Sequence, residues 1–159
     1  MSTHLEQLYQ EVILDHNKNP RNFGELPSAN AYSHGHNPLC GDDYHLYLSI
    51  DDEGIIQDIR FSGTGCAISK SSASMMTAVL KKKTLEEAKS MAASFLELIT
   101  QDSVSENTRS MLGRLKIFEG VKKFPVRVKC AMLIWRALED AMKHRSEKNK
   151  GIVTTEEKE

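Results

Sequence analysis

Three cysteines stand near the predicted starts of structural elements. Cys40 precedes a predicted strand, Cys66 lies between a predicted strand and a helix, and Cys130 falls in the second turn of a predicted helix. Thiols in such a small, odd number do not form a disulfide scaffold; in a reducing compartment they are more often catalytic, bound to a metal or simply buried. Three element ends of this kind could converge on one site.

The segment around Cys66 is the most informative, because the hydrophobic period changes there. Residues 61–70 read FSGTGCAISK, with strand-like alternation before the thiol and helical spacing after it. Gly63 and Gly65 permit the sharp turn between them. A helix N-terminus stabilises a thiolate and lowers its pKa. The alternative is a small residue that merely closes the joint between strand and helix.

A tetrahedral zinc or iron site needs four donors, and Asp42 lies two residues from Cys40 across a glycine. The spacing therefore allows a site formed by Cys40, Asp42, Cys66 and Cys130. An aspartate after Cys-Gly can also be an ordinary turn residue. Three histidines are rival fourth ligands, although solvated positions are the simpler interpretation for them: His34, His36 and His45.

Length and composition predict one globular domain with a single core, since the chain has 159 residues, of which 40% are hydrophobic. The 21 Lys and Arg balance 22 Asp and Glu, so no global basic field points to nucleic acid. No apolar run approaches the ~18 residues of a membrane span, and the first residues do not resemble a secretion signal. We expect a cytoplasmic protein that binds neither nucleic acid nor membrane.

Local patterns predict the remaining elements. A first helix runs to about Asn17, an extended segment lies near residues 29–33, and strands at 44–50 and 55–61 form an antiparallel hairpin. The buried side of the second strand is expected to carry Ile55, Ile59 and Phe61. The central helix is expected to run to about Lys83.

Capping signals define the second half of the chain. Thr84 with Glu87 and Ser103 with Glu106 match capping boxes, and Gly113 fits a helix C-cap. Pro125 suits the first turn of a last helix that ends near His144. Its core face is predicted to comprise Val126, Cys130, Ile134, Ala137, Leu138 and Ala141. The domain is predicted to span residues 1–145, followed by a disordered charged tail at 146–159.

Several motifs together resemble the iron-sulfur cluster assembly scaffold family. They are LYQEVILDH at 8–16, NPRN at 19–22, CGD at 40–42, FSGTGCAISKSS at 61–72 and KFPVRVKC at 123–130. The resemblance covers residues 5–143 and implies an α+β fold, with a small antiparallel three-stranded sheet and helices packed against it. It also implies that Cys40, Asp42, Cys66 and Cys130 are the metal or cluster ligands.

Departures from the general scaffold pattern point to one branch of that family. Lys129 stands where the general form has a histidine before its third cysteine, residues 124–128 replace the chaperone-docking sequence, and residues 103–121 form an extra stretch. These differences resemble the zinc-binding branch found beside a cysteine desulfurase in Gram-positive bacteria. In that branch zinc holds the thiolates while sulfur is accepted from the desulfurase.

Three functional interpretations remain open. The first is a zinc-dependent sulfur acceptor that works with a cysteine desulfurase and passes sulfur to downstream iron-sulfur assembly proteins, with Cys40 as the reactive thiol. In this interpretation the chain is a sulfurtransferase-like partner rather than a free-standing enzyme. The second is a scaffold that builds and hands on a 2Fe–2S cluster; the third is a structural zinc domain that only binds partners. Arg127, expected to point away from the core, is a candidate partner contact, or simply a solvated side chain.

Overall fold

The computed structural model describes residues 3–144 and 152–155, without the side chains of residues 3–6 and 152. The chain has the predicted α+β architecture. The helices are α1 Thr3–Lys18, α2 Ala67–Leu80, α3 Leu85–Thr100, α4 Glu106–Leu112 and α5 Pro125–Lys143, and a 3₁₀ segment, Gly113–Lys123, connects the last two. The strands are β1 Ala31–Asn37, β2 Asp42–Ile50, β3 Ile56–Thr64 and β4 Ile152–Val153.

The predicted antiparallel sheet of three strands is confirmed, with the short β4 added at one edge in the order β3-β2-β1-β4. Strands β1, β2 and β3 pair antiparallel, and β4 pairs parallel to β1. Alternate residues of β2 are fully buried, among them Tyr44, Leu46 and Leu48. Helices α2 and α5 pack on this buried side of the sheet, so the opposite side faces outward.

The alternation predicted for β3 is wrong at its start. The register shifts between Ser49 and Ile50, where Ile50 pairs with Ile56. As a consequence Ile56 is fully buried and Ile55 only partly so. An irregularity of this kind inserts a residue into the ladder and moves the following side chains to the other face.

Helix α2 is central and is buried on almost every side. Its hydroxyl groups are tolerated there because each has a partner: Ser72 donates to the carbonyl of Ala131 at 2.8 Å, and Ser74 Oγ lies 2.7 Å from His16 Nδ1. The helix ends at Leu80, earlier than predicted, and Lys82 then takes a φ of 74°. The chain must turn there to pair with β3, since Lys82 N–H donates to the carbonyl of Ile56.

The predicted capping box of α3 is confirmed, with Thr84 and Glu87 bonding each other's backbone N–H groups. The cap predicted for α4 is wrong by two residues, because Ser105 and not Ser103 accepts from Thr108 N–H. Gly113 is the predicted C-cap, with φ at 55°. The sequence also matches a capping box at Thr3 and Glu6 of α1, but the side chains of these two residues lie outside the described part of the structure.

Helix α5 carries the predicted core face from Cys130 onward, and all the residues of that face from there to Ala141 are buried. Val126 is an error in the prediction, since its side chain is 65% exposed. The cause is that the first turn of α5, from Pro125 to Arg127, projects from the packed elements together with Phe124.

The predicted disordered tail is wrong for residues 152–155; the rest of it, 146–151 and 156–159, lies outside the described residues. Thr154 and Thr155 follow β4 and bond to the buried side chain of Asn37. These long-range bonds give this segment a fixed position that the charged composition of the tail does not predict. Within the described ranges, no helix is both long and apolar enough to span a membrane.

Candidate metal and thiol site

One end of the sheet brings together the four residues predicted as ligands. Cys40 lies in the turn between β1 and β2, and Asp42 is the first residue of β2. Cys66 is the N-cap of α2, and Cys130 lies in the second turn of α5. The hairpin, the central helix and the last helix each contribute one segment, so the site depends on the whole fold.

The thiols and the carboxylate are close to one another. The Sγ atoms of Cys130 and Cys40 are 3.8 Å apart, and Cys40 Sγ is 3.4 Å from Asp42 Oδ2. The ligand atoms of Cys40, Asp42 and Cys130 all lie within 4.8 Å of one another. Cys66 lies outside this group of three, but its backbone N–H bonds to Asp42 and its thiol interacts with that of Cys130.

The backbone fixes the Asp42 carboxylate. Asp42 Oδ1 accepts from the N–H of Cys66 at 3.0 Å, which leaves Oδ2 directed at Cys40. Gly65 allows this approach: a Cβ there would lie 2.6 Å from Asp42 Oδ1 and 2.5 Å from both Tyr44 Oη and Ser69 Oγ. The glycine is therefore needed for a close approach, in addition to the turn that the sequence predicts.

The helix N-terminus acts on Cys66 as the sequence predicts. The Cys66 sulfur accepts from Ser69 N–H at 3.4 Å. The hydrogen bond from Cys130, together with this amide, lowers the pKa of the Cys66 thiol to about 6. Ser69 is itself held by Tyr44, whose hydroxyl lies 3.0 Å from Ser69 Oγ.

The other two thiols differ from Cys66. The pKa of Cys130 is raised. The larger cause is hydrogen bonding of its thiol to Cys66, and the second cause is burial. Partial desolvation of its sulfur also raises the pKa of Cys40, although the residue as a whole is exposed, and the charge of Asp42 adds to the effect. Cys130 is buried, Cys66 partly buried and Cys40 exposed, so Cys40 is the thiol that another protein can reach.

The donor set and its spacing fit a zinc ion. Tetrahedral zinc with Zn–S bonds of about 2.3 Å separates two sulfur ligands by about 3.8 Å, and a sulfur and an oxygen ligand by about 3.6 Å. The two separations observed, 3.8 Å for Cys130 to Cys40 and 3.4 Å for Cys40 to Asp42, are close to those values. Thiolates with one carboxylate are ligands that zinc accepts.

The three histidines considered as rival ligands lie elsewhere. Along β1 and β2 buried and half-exposed residues alternate, and His34, His36 and His45 occupy the half-exposed positions. Asp42 is on the buried side of the same strand, facing the thiols. The histidines therefore project from the opposite face of the sheet and group with Asp43 instead.

Exposed side chains lie in the segments that carry Cys40 and lead to Cys130. Leu39 beside Cys40 is 85% exposed, and Phe124 and Val126 near the start of α5 are 56% and 65% exposed. Arg127 is also exposed, as the sequence predicts. Apolar side chains on a rim of this kind are typical of a protein-binding surface.

Sequence reasoning missed the residues that support the site from a distance. The Asn37 amide, three residues before Cys40, accepts from Thr155 Oγ1 at 2.8 Å, and the same hydroxyl lies 3.0 Å from the carbonyl of Lys129. Thr155 thus connects the segment leading to Cys40 with the one leading to Cys130. No local pattern signals a contact across so many residues.

Known proteins resemble the chain over most of its length. Residues 8–150 match the NifU-like N terminal domain family. The zinc-dependent sulfurtransferase SufU of Bacillus subtilis (strain 168) is 42% identical, over 87% of this chain and 91% of that protein. The iron-sulfur cluster assembly scaffold protein IscU of Streptococcus pyogenes serotype M1 is 40% identical, over 87% and 85%.

A solved structure is also similar to this chain, and its description agrees with the names of both relatives. It comes from the thermophile Fervidobacterium islandicum AW-1 and is assigned as an iron-sulfur cluster assembly scaffold for the SUF system. Its TM-score is 0.78 at 35% identity, with 89% of this chain and 99% of that chain covered.

Proposed function

The chain belongs to the family of NifU-like N-terminal domains, and from that premise we propose that it serves iron-sulfur cluster assembly as a zinc-dependent sulfur acceptor for a cysteine desulfurase. The single observation that carries the proposal is the group of Cys40, Asp42 and Cys130, in which one thiol is exposed and one is buried. A relative named as a zinc-dependent sulfurtransferase, 42% identical, supports it.

In this proposal zinc is held by Cys40, Asp42, Cys66 and Cys130. When bound, zinc keeps thiolate ligands deprotonated and has no redox chemistry of its own. Zinc would matter most at Cys40, because partial desolvation of the sulfur and the Asp42 charge raise the pKa of its thiol. Cys66 needs it less, since its own pKa is about 6.

Cys40 is the proposed sulfur acceptor. Its thiol is exposed, and it lies in the turn between β1 and β2, where Gly41 takes a φ of 77°. A turn can move with little disturbance of the core. Cys66 and Cys130 are anchored at the starts of two packed helices, so they are better suited to remain as ligands.

The transfer step follows ordinary thiol exchange. The Cys40 thiolate attacks the outer sulfur of a persulfide on the desulfurase. A new S–S bond forms at Cys40, the S–S bond of the donor breaks, and the desulfurase cysteine leaves as a thiolate. The Cys40 persulfide then carries the sulfur to downstream iron-sulfur assembly proteins. A cytoplasmic setting suits free thiols of this kind.

The second candidate is a scaffold for a 2Fe–2S cluster, for which the cluster would be cargo. The relative named IscU, 40% identical, favours it. Lys129 weighs against it, because the general scaffold pattern has a histidine at this position. The lysine carbonyl also lies 3.0 Å from Thr155 Oγ1, so its backbone is packed against the C-terminal segment.

Mass spectrometry after sulfur loading tests the proposal. The chain, purified without oxygen and analysed for metal, is mixed with a cysteine desulfurase and cysteine, and the added sulfur is located by peptide mapping. We expect about one zinc per chain and sulfur on Cys40, with no transfer to Cys40→Ser. Sulfur mainly on Cys66 or Cys130 would contradict the assignment of Cys40.

Metal analysis separates the alternatives. Iron with acid-labile sulfide in place of zinc would favour the scaffold function. If the chain contains zinc but takes up no sulfur, the result would support the third interpretation, a structural zinc domain. Cys130→Ser is the companion variant: it should lose zinc and soluble protein together, whereas Cys40→Ser should keep its fold.

A further inference from the structure

Four polar side chains form a compact group on the outer face of the sheet, opposite the thiols. They belong to two neighbouring cross-strand pairs of the β1–β2 ladder, in which His34 lies opposite His45 and His36 opposite Asp43. Directly opposed residues have their Cβ atoms about 5 Å apart, and diagonal neighbours on the same face remain within reach. The ladder itself therefore holds three imidazoles around one carboxylate.

Two of these imidazoles and the carboxylate have ligand atoms that could share one ion. His34 Nε2 is 2.7 Å and His45 Nε2 is 3.8 Å from Asp43 Oδ1, and these ligand atoms all lie within 4.8 Å of one another. The side chains are 23%, 35% and 39% exposed for His34, His45 and Asp43, so an ion can reach them from solvent.

Neighbouring groups orient these ligands. The Tyr32 hydroxyl bonds to His45 Nδ1, which leaves the other ring nitrogen directed at Asp43. His36 Nδ1 is 3.2 Å from both Asp43 Oδ2 and the Asp42 carbonyl, and Asp43 Oδ1 faces the two remaining imidazoles. Partners of this kind fix the ring orientation and raise the basicity of metal ligands. The rings of His34 and His45 also stack, with centroids 4.2 Å apart.

We propose that His34 Nε2, His45 Nε2 and Asp43 Oδ1 form a second metal site for a divalent first-row transition ion, with coordination positions open to water. Two imidazoles and a carboxylate suit such ions, zinc among them. The site differs from the thiol site in its nitrogen and oxygen donors and in the face of the sheet that it occupies. This inference does not depend on the proposed sulfur transfer.

The ion would hold together the two strands that carry the Cys40 turn. His34 and His45 lie on β1 and β2, and the turn between these strands contains Cys40. The alternative is that the group is only a set of hydrogen bonds, with a proton between each imidazole and Asp43. Metal binding would displace the proton from the His34–Asp43 contact, so the two explanations differ in measurable metal content.

Equilibrium dialysis of the full chain, without an affinity tag, against excess Zn²⁺ decides between them. Bound zinc is counted for the wild type, His34→Gln and Asp43→Asn. The wild type should bind one equivalent more than either variant, whatever the thiol site holds. The control is His144→Gln, which removes a histidine 3.9 Å from Asp140 outside the group; it should bind as much zinc as the wild type.

A more conservative variant is needed in case His34→Gln and Asp43→Asn disturb the fold. Tyr32→Phe keeps the ring and removes the hydroxyl that orients His45, and loss of such a partner weakens metal binding about 10–100-fold. Equal zinc counts for the wild type, His34→Gln and Asp43→Asn would overturn the proposal. The proposal would also be overturned if Tyr32→Phe bound the last equivalent of zinc as tightly as the wild type does.

Discussion

Cys66 and Cys130 interact as thiols of the same site, and this interaction lowers the pKa of Cys66 and raises that of Cys130. Cys66 becomes the better thiolate, because its sulfur also accepts from the Ser69 amide at the start of α2. Cys130 becomes the thiol that retains its proton. Without metal, the pair therefore shares one proton near neutral pH.

The first prediction concerns the pH dependence of this pair. In the metal-free chain, ultraviolet thiolate absorbance should rise with pH through a step near 6, the pKa of Cys66, and should be lost as the pH falls below it. Cys130→Ala removes the donor, so the step should move up toward the ordinary thiol value of about 8.5. Cys40→Ser should leave the step in place. A step that persists near 6 in Cys130→Ala would show that the amide alone lowers the pKa.

The second prediction concerns the close approach at Gly65. Gly65→Ala places a methyl group within 2.6 Å of Asp42, Tyr44 and Ser69 oxygens, so Asp42 must move away from Cys66. Overpacking of this kind costs about 1–3 kcal/mol, and bound zinc should fall as well. Gly120→Ala is the matched control, because its nearest contact is Tyr9 at an ordinary 3.6 Å. Thermal melting and zinc analysis give the result; equal zinc in both variants would contradict the need for this approach.

The third prediction concerns zinc and stability. The proposed ligands come from the β1–β2 hairpin, α2 and α5, so the free energy of metal binding becomes free energy of folding. An ion present at 1,000 times its Kd stabilises the chain by about 4 kcal/mol, and the chelated chain should melt roughly 10 °C lower. If melting is unchanged after metal analysis shows the zinc to be gone, the ion does not join these segments.

Local patterns predicted the parts of the fold that depend on neighbours in sequence. The alternation of β2, the Thr84–Glu87 cap and the position of Cys66 at a helix start are all of this kind. The convergence of Asp42 with the thiols was expected from a family resemblance as well as from spacing. Its physical basis is the bond from the Cys66 amide to Asp42, which no spacing rule contains.

The errors have long-range causes. Val126 fits the apolar stripe of α5, but within the described part of the chain the first turn of that helix projects from the packed elements and leaves Val126 exposed. Residues 152–155 lie in a charged tail with little apolar content, yet hydrogen bonds to Asn37 give them a fixed position. In each case a distant part of the chain decides burial or order, and a single sequence does not show it.

The fourth prediction concerns Arg127 as a contact for the desulfurase. Its side chain is exposed at the start of α5, three residues before Cys130. Arg127→Ala should weaken binding of a cysteine desulfurase about tenfold, equivalent to about 1.4 kcal/mol, while zinc content stays unchanged. Arg136→Ala, on the same helix and paired with Glu139 at 2.9 Å, is the control and should bind normally. Titration calorimetry measures both; loss of zinc in Arg127→Ala would place its role in the fold.

The fifth prediction concerns the C-terminal segment that reaches the site. Asn37 Oδ1 is buried and accepts from Thr154 Oγ1, Thr155 N–H and Thr155 Oγ1 at 2.8–3.0 Å. A chain ending at residue 151 loses all three donors, and an unsatisfied buried acceptor costs about 1–3 kcal/mol. The turn that follows Asn37 should then open more often, so alkylation of Cys40 in the metal-free chain should become faster.

A chain ending at residue 155 is the matched control for this truncation, since it keeps the three donors and removes only residues 156–159. Its rate of Cys40 alkylation and its melting temperature should equal those of the full chain. The shorter chain should melt about 2–4 °C lower for each kcal/mol lost. Because Thr155 Oγ1 also lies 3.0 Å from the Lys129 carbonyl, the start of α5 should loosen together with the turn. Equal alkylation rates in the two truncated chains would mean that the turn is held without this segment.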